Sequence, residues 1–204
     1  MSSKSGTRRR GAVLESAILD AAWDQLLDAG YDRFTIDAVA ARSSTARSVL
    51  YRRWPSRRDL LEATLKHRGA IDAISTPDTG NLRDDVIAVL TEFNERRSGF
   101  VGLFTARLGA YFDEEGSSPA DVRHLFIPDG PSLMETIVAR AVARGELGPT
   151  PLPARIVSLP TDLVRHELVM TMAPVSPEAI VEIVDEVFLP LATKFGERAG
   201  QREG

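Results

Sequence analysis

Arginine side chains carry the main chemical signal in this sequence. Six of them, from Arg42 to Arg58, stand in the stretch 38–58, and no aspartate or glutamate interrupts it. A guanidinium group pairs with phosphate oxygens, and with the major-groove edge of guanine, through two parallel hydrogen bonds. Ser48 and Tyr51 add hydroxyl groups to the same stretch. This composition predicts a surface that binds a polyanion, with double-stranded DNA as the partner.

Other kinds of site lack the residues that they need. The 204 residues include no cysteine, which excludes disulfides, thiolate metal ligands and cysteine nucleophiles. His166 and Glu167 begin like a zinc-protease motif, but Met170 stands where that motif requires a second histidine. His67 and His124 are isolated, and we predict that they are surface or packing residues. No phosphate-binding glycine loop, nucleophile elbow or spaced carboxylate pair is present, so we predict no catalytic residue, no metal and no cofactor.

Charge divides the chain into two parts. The net charge is −4, yet residues 1–68 carry 13 Lys and Arg against 8 Asp and Glu, which leaves the excess of acid in the remainder. No uninterrupted apolar segment follows the basic start, and no apolar run approaches the roughly 20 residues that cross a bilayer. We therefore expect a cytoplasmic protein with no membrane partner. Arg8, Arg9 and Arg10 are either an arm that reaches DNA or a disordered tail.

The arginines must be positioned by short helices. An apolar stripe from Leu14 to Leu26 predicts a first helix, which Gly30 closes. Thr35 is placed to cap a second helix that runs to about Arg42, with Phe34 and Val39 forming a hydrophobic staple around its start.

A polar turn, 43–45, separates the second helix from a third. Either Ser44 or Thr45 is placed to cap the third helix, in which Leu50 and Trp54 share one face. Pro55 ends that helix, and Ser56 caps a fourth that runs from Arg57 to about Ile74.

Helical periodicity continues to the C terminus, and no two-residue alternation between hairpin turns interrupts it. Pro160 either kinks its helix or lies in its first turn. The apolar positions that define the remaining helices are Val86 to Phe93, Leu103 to Tyr111, Leu133 to Val142, Ile156 to Met172 and Pro177 to Phe195. The predicted fold is all-α.

Two short helices joined by a short turn predict a helix-turn-helix. Leu50 and Trp54 anchor the second of these helices, so that Arg47 enters the major groove and makes a bidentate contact with guanine. Ser48 is predicted to contact a base or a phosphate, and Val49 a thymine methyl group. Phosphate contacts are assigned to Tyr51, Arg53 and Arg57, the last at the start of the fourth helix. The full set predicted to contact DNA is Thr35, Arg42, Thr45, Arg47, Ser48, Val49, Tyr51, Arg52, Arg53 and Arg57.

The motifs Phe34-Thr35-Ile36 to Val39-Ala40 and Leu50-Tyr51-Arg52-Arg53-Trp54-Pro55-Ser56-Arg57 resemble the TetR family of transcriptional regulators. The sequence departs from the family at the turn, where Ser43-Ser44-Thr45-Ala46 stands in place of the usual Ala-Gly-Val-Ser. Without that glycine, Ser44 must adopt an awkward backbone conformation or the turn must differ. The resemblance implies a homodimer and a helical regulatory domain with an internal pocket for a small-molecule effector.

The C-terminal half supplies the candidates for these further sites. Aromatic and apolar side chains that line a pocket or simply form core are Phe93, Phe100, Leu103, Phe104, Leu108, Tyr111, Met134, His166 and Met170. The last two helices either close the monomer core or form a two-fold interface, which we favour. Its predicted residues are Leu163, Glu167, Ile180, Ile183, Val184 and Val187.

These observations predict a three-helix DNA-binding head joined by a fourth helix to a C-terminal ligand-binding and dimerisation domain. The expected segments are a basic flexible arm (1–10), the helix-turn-helix domain (11–56), a connecting helix (57–74), the C-terminal domain (75–195) and a flexible tail (196–204). We expect a repressor that an effector releases from a partly palindromic operator. The alternatives are an all-helical enzyme or small-molecule carrier with an incidental basic N terminus, and an activator or partner-binding regulator without an effector.

Overall fold

Every regular element of the computed structural model is helical among the residues that it describes. These are residues 4–116, 118, 122 and 132–197, with side chains described except at 4–10, 97–106 and 196–197. The helices are α1 (Lys4–Ala29), α2 (Ile36–Arg42), α3 (Arg47–Arg53), α4 (Arg57–Ile71), α5 (Leu82–Ala106), α6 (Gly109–Glu115), α7 (Leu133–Ala143), α8 (Ala154–Thr171), α9 (Pro177–Glu182) and α10 (Leu189–Glu197). A 3₁₀ turn (Tyr31–Arg33) follows α1, and a π-helical segment (Ile183–Phe188) joins α9 to α10. The predicted all-α fold is confirmed.

Contacts divide the chain into two compact units. The head unit contains the described residues up to 73 together with those from 103 to 122. The body unit contains residues 74–102 and the described residues from 132 onwards. The helix α5 therefore begins in the body unit, and its last residues belong to the head unit.

The head unit has its core between α1, α2 and α4. Ile18 and Leu26 of α1 are fully buried, as are Leu60 and Leu61 of α4. Burial of each such side chain contributes about 1.5–3 kcal/mol. Gly30 has φ +73°, a conformation that suits glycine, and so allows the chain to leave α1 sharply.

Side-chain caps start α2 and α4 where the sequence predicts them. The Thr35 hydroxyl accepts a hydrogen bond from the Ala38 N–H at 3.1 Å. Ser56 and Asp59 form a reciprocal capping box at the start of α4. Each cap contributes about 1 kcal/mol, so both flanking helices of the predicted DNA-binding segment begin at defined residues.

The boundary after α5 differs from the predicted one. The sequence predicts separate helices around Phe93 and around Leu103 to Tyr111, whereas α5 is continuous from Leu82 to Ala106 and breaks only before Gly109. The Arg107 carbonyl instead accepts a hydrogen bond from the Tyr31 N–H at 2.9 Å. A tertiary hydrogen bond thus occupies the carbonyl that a continuing helix would have used.

Two buried polar side chains of the body unit, Asn94 and Asp85, have hydrogen-bond partners among the described residues. Asn94 donates to the Val175 carbonyl and accepts from the Val175 N–H, both at 2.9 Å. Asp85 is fully buried and accepts hydrogen bonds from Thr79 and, at 3.0 Å, from Arg144. The apolar core around these groups includes Val86, Leu90, Ile137, Val164, Val184 and Phe188.

Two prolines lie within or beside the C-terminal helices. Pro160 is buried in the interior of α8, so it does not begin that helix. Pro190 is the second residue of α10, which begins where the π-helical segment ends. Because proline has no N–H and its ring crowds the preceding turn, the wider π turn accommodates it. None of the described helices is both long and apolar enough to cross a membrane.

Candidate nucleic-acid interface

Two buried side chains anchor α3 to the head unit. Leu50 is fully buried and Trp54, at the C-terminal cap, is 6% exposed. Both positions agree with the sequence prediction. Because these anchors hold one side of a seven-residue helix, the opposite side must face solvent.

The exposed side of α3 carries Arg47, Ser48, Tyr51 and Arg52, which we call the α3 face. At 100° per residue these four side chains occupy a continuous strip of the helix surface. Tyr51 is 50% exposed, so its aromatic ring is not part of the core of the head unit. All four side chains end in hydrogen-bond donors suited to phosphate or base edges.

The turn before α3 takes the unusual conformation that its missing glycine predicts. Ser44 has φ +51°, in the left-handed region. The Thr45 N–H bonds to the Ala40 carbonyl at 3.0 Å and the Ser44 N–H to the Ala41 carbonyl at 3.2 Å. These two bonds form a Schellman motif in which Ser44 occupies the position that glycine usually takes.

The predicted cap of α3 is wrong. The N-terminal capping residue is Ala46, which has no side-chain acceptor. Thr45 instead donates its hydroxyl to the Ser43 carbonyl at 3.1 Å, and Ser44 lies one residue further from the helix. The recognition helix therefore begins without a side-chain cap.

Most arginines predicted to contact DNA have acidic partners within the head unit. Arg42 pairs with Asp28 at 2.6 Å, and Arg53 pairs with Glu15 of α1. On the α3 face, the Arg47 Nη1 atom lies 3.1 Å from the Asp37 Oδ2 atom. Arg52, in contrast, is exposed and has no ion pair or side-chain hydrogen bond with any described residue.

Arg57 occupies a packed position at the start of α4. Its guanidinium lies 4.0 Å from the centre of the Tyr31 ring and pairs with Glu114 of α6. The hydrogen bond from Arg57 lowers the pKa of the Glu114 carboxyl below its ordinary value. The neighbouring Arg58 pairs with Glu115 in the same way. These contacts join α4 to α6 and occupy a guanidinium that the sequence assigns to phosphate.

The remaining predicted DNA contacts differ in exposure. Thr35 is exposed, although its hydroxyl already caps α2. Thr45 and Val49 are half-buried. The acidic partners Glu15, Asp37 and Glu114 stand at no regular sequence spacing from the arginines that they bind. The sequence therefore does not predict which acid pairs with which arginine.

The structure distributes the predicted pocket residues between the two units. Leu108 and Tyr111 are buried in the head unit, where the Tyr111 ring meets the Tyr31 ring edge to face at 5.2 Å. Met134 is buried in the body core, and Met170 is 69% exposed on α8. In the body unit Phe93 is half-buried and His166 is exposed. The side chains of Phe100, Leu103 and Phe104 lie outside the described residues.

The predicted interface residues also fall into two groups. Ile180 and Val184 are buried in the core of the body unit, which leaves them no surface to offer a second chain. Those that keep partial exposure are Leu163, Glu167, Ile183 and Val187. Around the end of α8, the apolar side chains of Val169, Met170 and Met172 are 41%, 69% and 56% exposed.

Comparisons with known proteins match both halves of the chain. Residues 18–64 match the family described as bacterial regulatory proteins, tetR family, and residues 76–187 match the tetracyclin repressor-like, C-terminal domain. The chain is 31% identical to an uncharacterised HTH-type transcriptional regulator of Mycobacterium tuberculosis, over 88% of each chain. It is 32% identical to a DNA-binding transcriptional repressor TetR of Mycobacteroides abscessus, over 89% of this chain and 95% of that one. The solved structure of the flavonoid-responsive regulator FrrA has a similar fold, with a TM-score of 0.60 at 18% identity over 92% of this chain and 97% of that chain.

Proposed function

The chain belongs to the TetR family of DNA-binding transcriptional regulators, and from that membership we propose that it is a homodimeric repressor released from its operator by a small-molecule effector. The α3 face carries this proposal, because its four exposed polar side chains stand on a short helix anchored from behind. The M. abscessus relative is named as a repressor, which supports the sign of regulation. Two recognition helices related by a two-fold axis would meet two half-sites of a partly palindromic operator.

Within the α3 face we assign base contact to Arg47 and phosphate contact to Tyr51 and Arg52. Arg47 is in the first turn of α3, the part of a recognition helix that reaches base edges. Arg52 has its whole guanidinium available, since no described residue binds it. Arg57 is assigned to the link between α4 and α6, because Glu114 and the Tyr31 ring already occupy it.

Binding to duplexes selected from a randomised pool tests these assignments. We expect Arg47→Ala to reduce discrimination at one base pair by roughly 5- to 150-fold, because a bidentate base contact contributes about 1–3 kcal/mol. Arg52→Ala should weaken binding to all sequences similarly and lower the salt slope by about 1. Arg155→Ala, which removes an exposed arginine of the body unit, is the matched control and should change neither property.

The alternative of a helical enzyme or carrier makes the opposite prediction. Such a protein would show no salt-dependent retention of DNA at low ionic strength, and no effect of Arg47→Ala on binding. Absence of any retained duplex after selection would therefore refute the repressor proposal.

The homodimer is proposed to form through the exposed apolar end of α8. Val169 and Met170 together present apolar surface that a single chain leaves in water. Met170→Asp should shift the protein from dimer to monomer in sedimentation velocity and weaken operator binding. Ile71→Asp changes an apolar side chain of α4 that is 49% exposed and should leave the dimer intact. A dimer unaffected by Met170→Asp would exclude this face.

The effector is proposed to act on the head through α6. Tyr111 packs against Tyr31, and Glu114 and Glu115 bind the first two residues of α4. A ligand that favours one position of α6 over another would therefore act on the start of α4, the residues next to α3 in sequence. The ligand must bind the two positions with different affinity, because equal affinity shifts no equilibrium.

A further inference from the structure

We propose that Asp37 is a specificity-determining positioning residue, which directs the Arg47 guanidinium toward a base edge and away from phosphates. The inference rests on the proposed role of Arg47 as the base contact. It assigns to an acidic residue of α2 a part in recognition that the basic composition of the segment does not suggest.

The backbone around Asp37 is held from both sides. It follows Ile36, the first residue of α2, and the Thr35 cap fixes the N–H of Ala38. Ile36 and Val39 are buried. Because the backbone of this turn is held in place, the Asp37 carboxylate offers its partner a defined position. That partner is Arg47, the first residue of α3.

The contact leaves most of the Arg47 guanidinium available. Nη1 lies 3.1 Å from the Asp37 Oδ2 atom, and the Arg47 side chain is 69% exposed. A guanidinium has five N–H donors, so its remaining edge can still donate two parallel hydrogen bonds to guanine. An arginine side chain is long and flexible, so a fixed partner reduces the freedom that it loses on binding a base.

The second oxygen of Asp37 is not satisfied by the fold. Oδ1 is buried and has no hydrogen-bond partner among the described residues. Because buried side-chain oxygens usually have a hydrogen-bond partner, Asp37 keeps an acceptor that no contact of the described residues uses. In the neighbouring pair with Asp28, the Arg42 guanidinium also donates to Gln25 at 3.4 Å and so has two partners in the fold.

A carboxylate beside the α3 face also acts on the phosphates. The negative charge of Asp37 repels phosphates and so opposes sequence-independent binding of DNA. The contact of an oriented Arg47 with guanine is retained. Asp37 should thus lower affinity for random DNA and raise the ratio of specific to random binding. This pair of opposite effects distinguishes a specificity role from a stabilising one.

Quantitative binding of Asp37→Asn to single-substituted operator duplexes tests the proposal. The operator is first obtained by selection from randomised duplexes with the unaltered protein. We expect discrimination at the Arg47-dependent base pair to fall about 5- to 10-fold, and affinity for random duplex at low salt to rise about 2- to 3-fold. In the Arg47→Ala background, Asp37→Asn should have no further effect on that base pair.

Asp28→Asn is the matched control, since it removes the same charge from another aspartate–arginine pair of the head unit. It should leave discrimination unchanged. Unchanged discrimination in Asp37→Asn, or an equal loss on every sequence, would overturn the inference. If Asp37→Asn does not fold, Asp37→Ser permits the same comparison. Should Arg47→Ala itself leave base preference intact, the proposed base contact fails, which is a separate result from failure of Asp37 alone.

Discussion

Replacement of Ser44 by glycine should stabilise the head unit. A left-handed conformation costs an L-residue roughly 1–2 kcal/mol, and Ser44 has φ +51°. Glycine avoids that cost but loses about 0.5–1 kcal/mol more through the greater freedom of the unfolded chain. No hydrogen bond of the Ser44 hydroxyl is lost, because it makes none with described residues. The expected net gain for Ser44→Gly is therefore about 0.5–1 kcal/mol.

The structure contains its own comparison for this substitution. α7 ends in the same pair of hydrogen bonds, from Glu146 to Ala141 and from Gly145 to Val142. There the left-handed residue is Gly145, with φ +79°. The motif is thus built with glycine at one helix end and with serine at the other, and only the serine version is strained.

Tryptophan fluorescence in urea isolates this effect. The chain has two tryptophans, Trp23 and Trp54, and both are buried in the head unit. With a denaturant slope of about 2 kcal/mol per molar, the midpoint for Ser44→Gly should rise by roughly 0.3–0.5 M. Ser43→Gly is the control, since Ser43 has φ −81° and should lose stability on the same substitution. Equal shifts for the two variants, in either direction, would refute the argument from backbone strain.

Four further outcomes follow from contacts described above. Ala46→Ser should raise the same fluorescence midpoint, because it supplies α3 with a cap worth about 1 kcal/mol. Asn94→Ala leaves two buried backbone groups without partners, so circular dichroism melts should show a loss of about 1–3 kcal/mol. Burial alone would raise the pKa of Asp85, but its hydrogen bonds outweigh burial and lower that pKa. The stabilisation is therefore present above the ordinary pKa of about 4 and is lost as pH falls below it, and Asp85→Asn should flatten this acid limb in pH-dependent melts. Glu114→Gln removes the carboxylate partner of Arg57 and should raise affinity for random duplex about 2-fold in low-salt anisotropy titrations, whereas an unchanged affinity would show that Arg57 stays packed on its aromatic neighbour.

Local signals in the sequence predict the local parts of this structure. Thr35 and Ser56 cap the helices that their spacing indicates, and Leu50 and Trp54 are buried because an amphipathic helix must bury one face. The missing glycine correctly indicates strain at Ser44, since the hydrogen bonds of the turn require positive φ there whichever residue is present.

Features that depend on distant residues were not predictable in this way. Just after α5 ends, the Arg107 carbonyl accepts a hydrogen bond from the Tyr31 N–H, a contact between distant residues that no helical periodicity contains. Glu114 follows Arg57 by 57 residues, so their pairing has no local signature. Ile180 is an apolar residue at a regular helical position, and such a residue can belong either to an interface or to the core. Only the packing of the folded chain shows that Ile180 belongs to the core.

The inclusion of α6 in the head unit limits how such regulators can be recombined. A chimera that joined residues 4–73 to a foreign body would lack Tyr111 and Glu114, and with them the aromatic and ionic neighbours of Tyr31 and Arg57. The unit that can be exchanged intact is therefore discontinuous in the gene. Any foreign body unit must keep these two side chains at the matching place, which couples changes in the rest of the chain to the surface of the head.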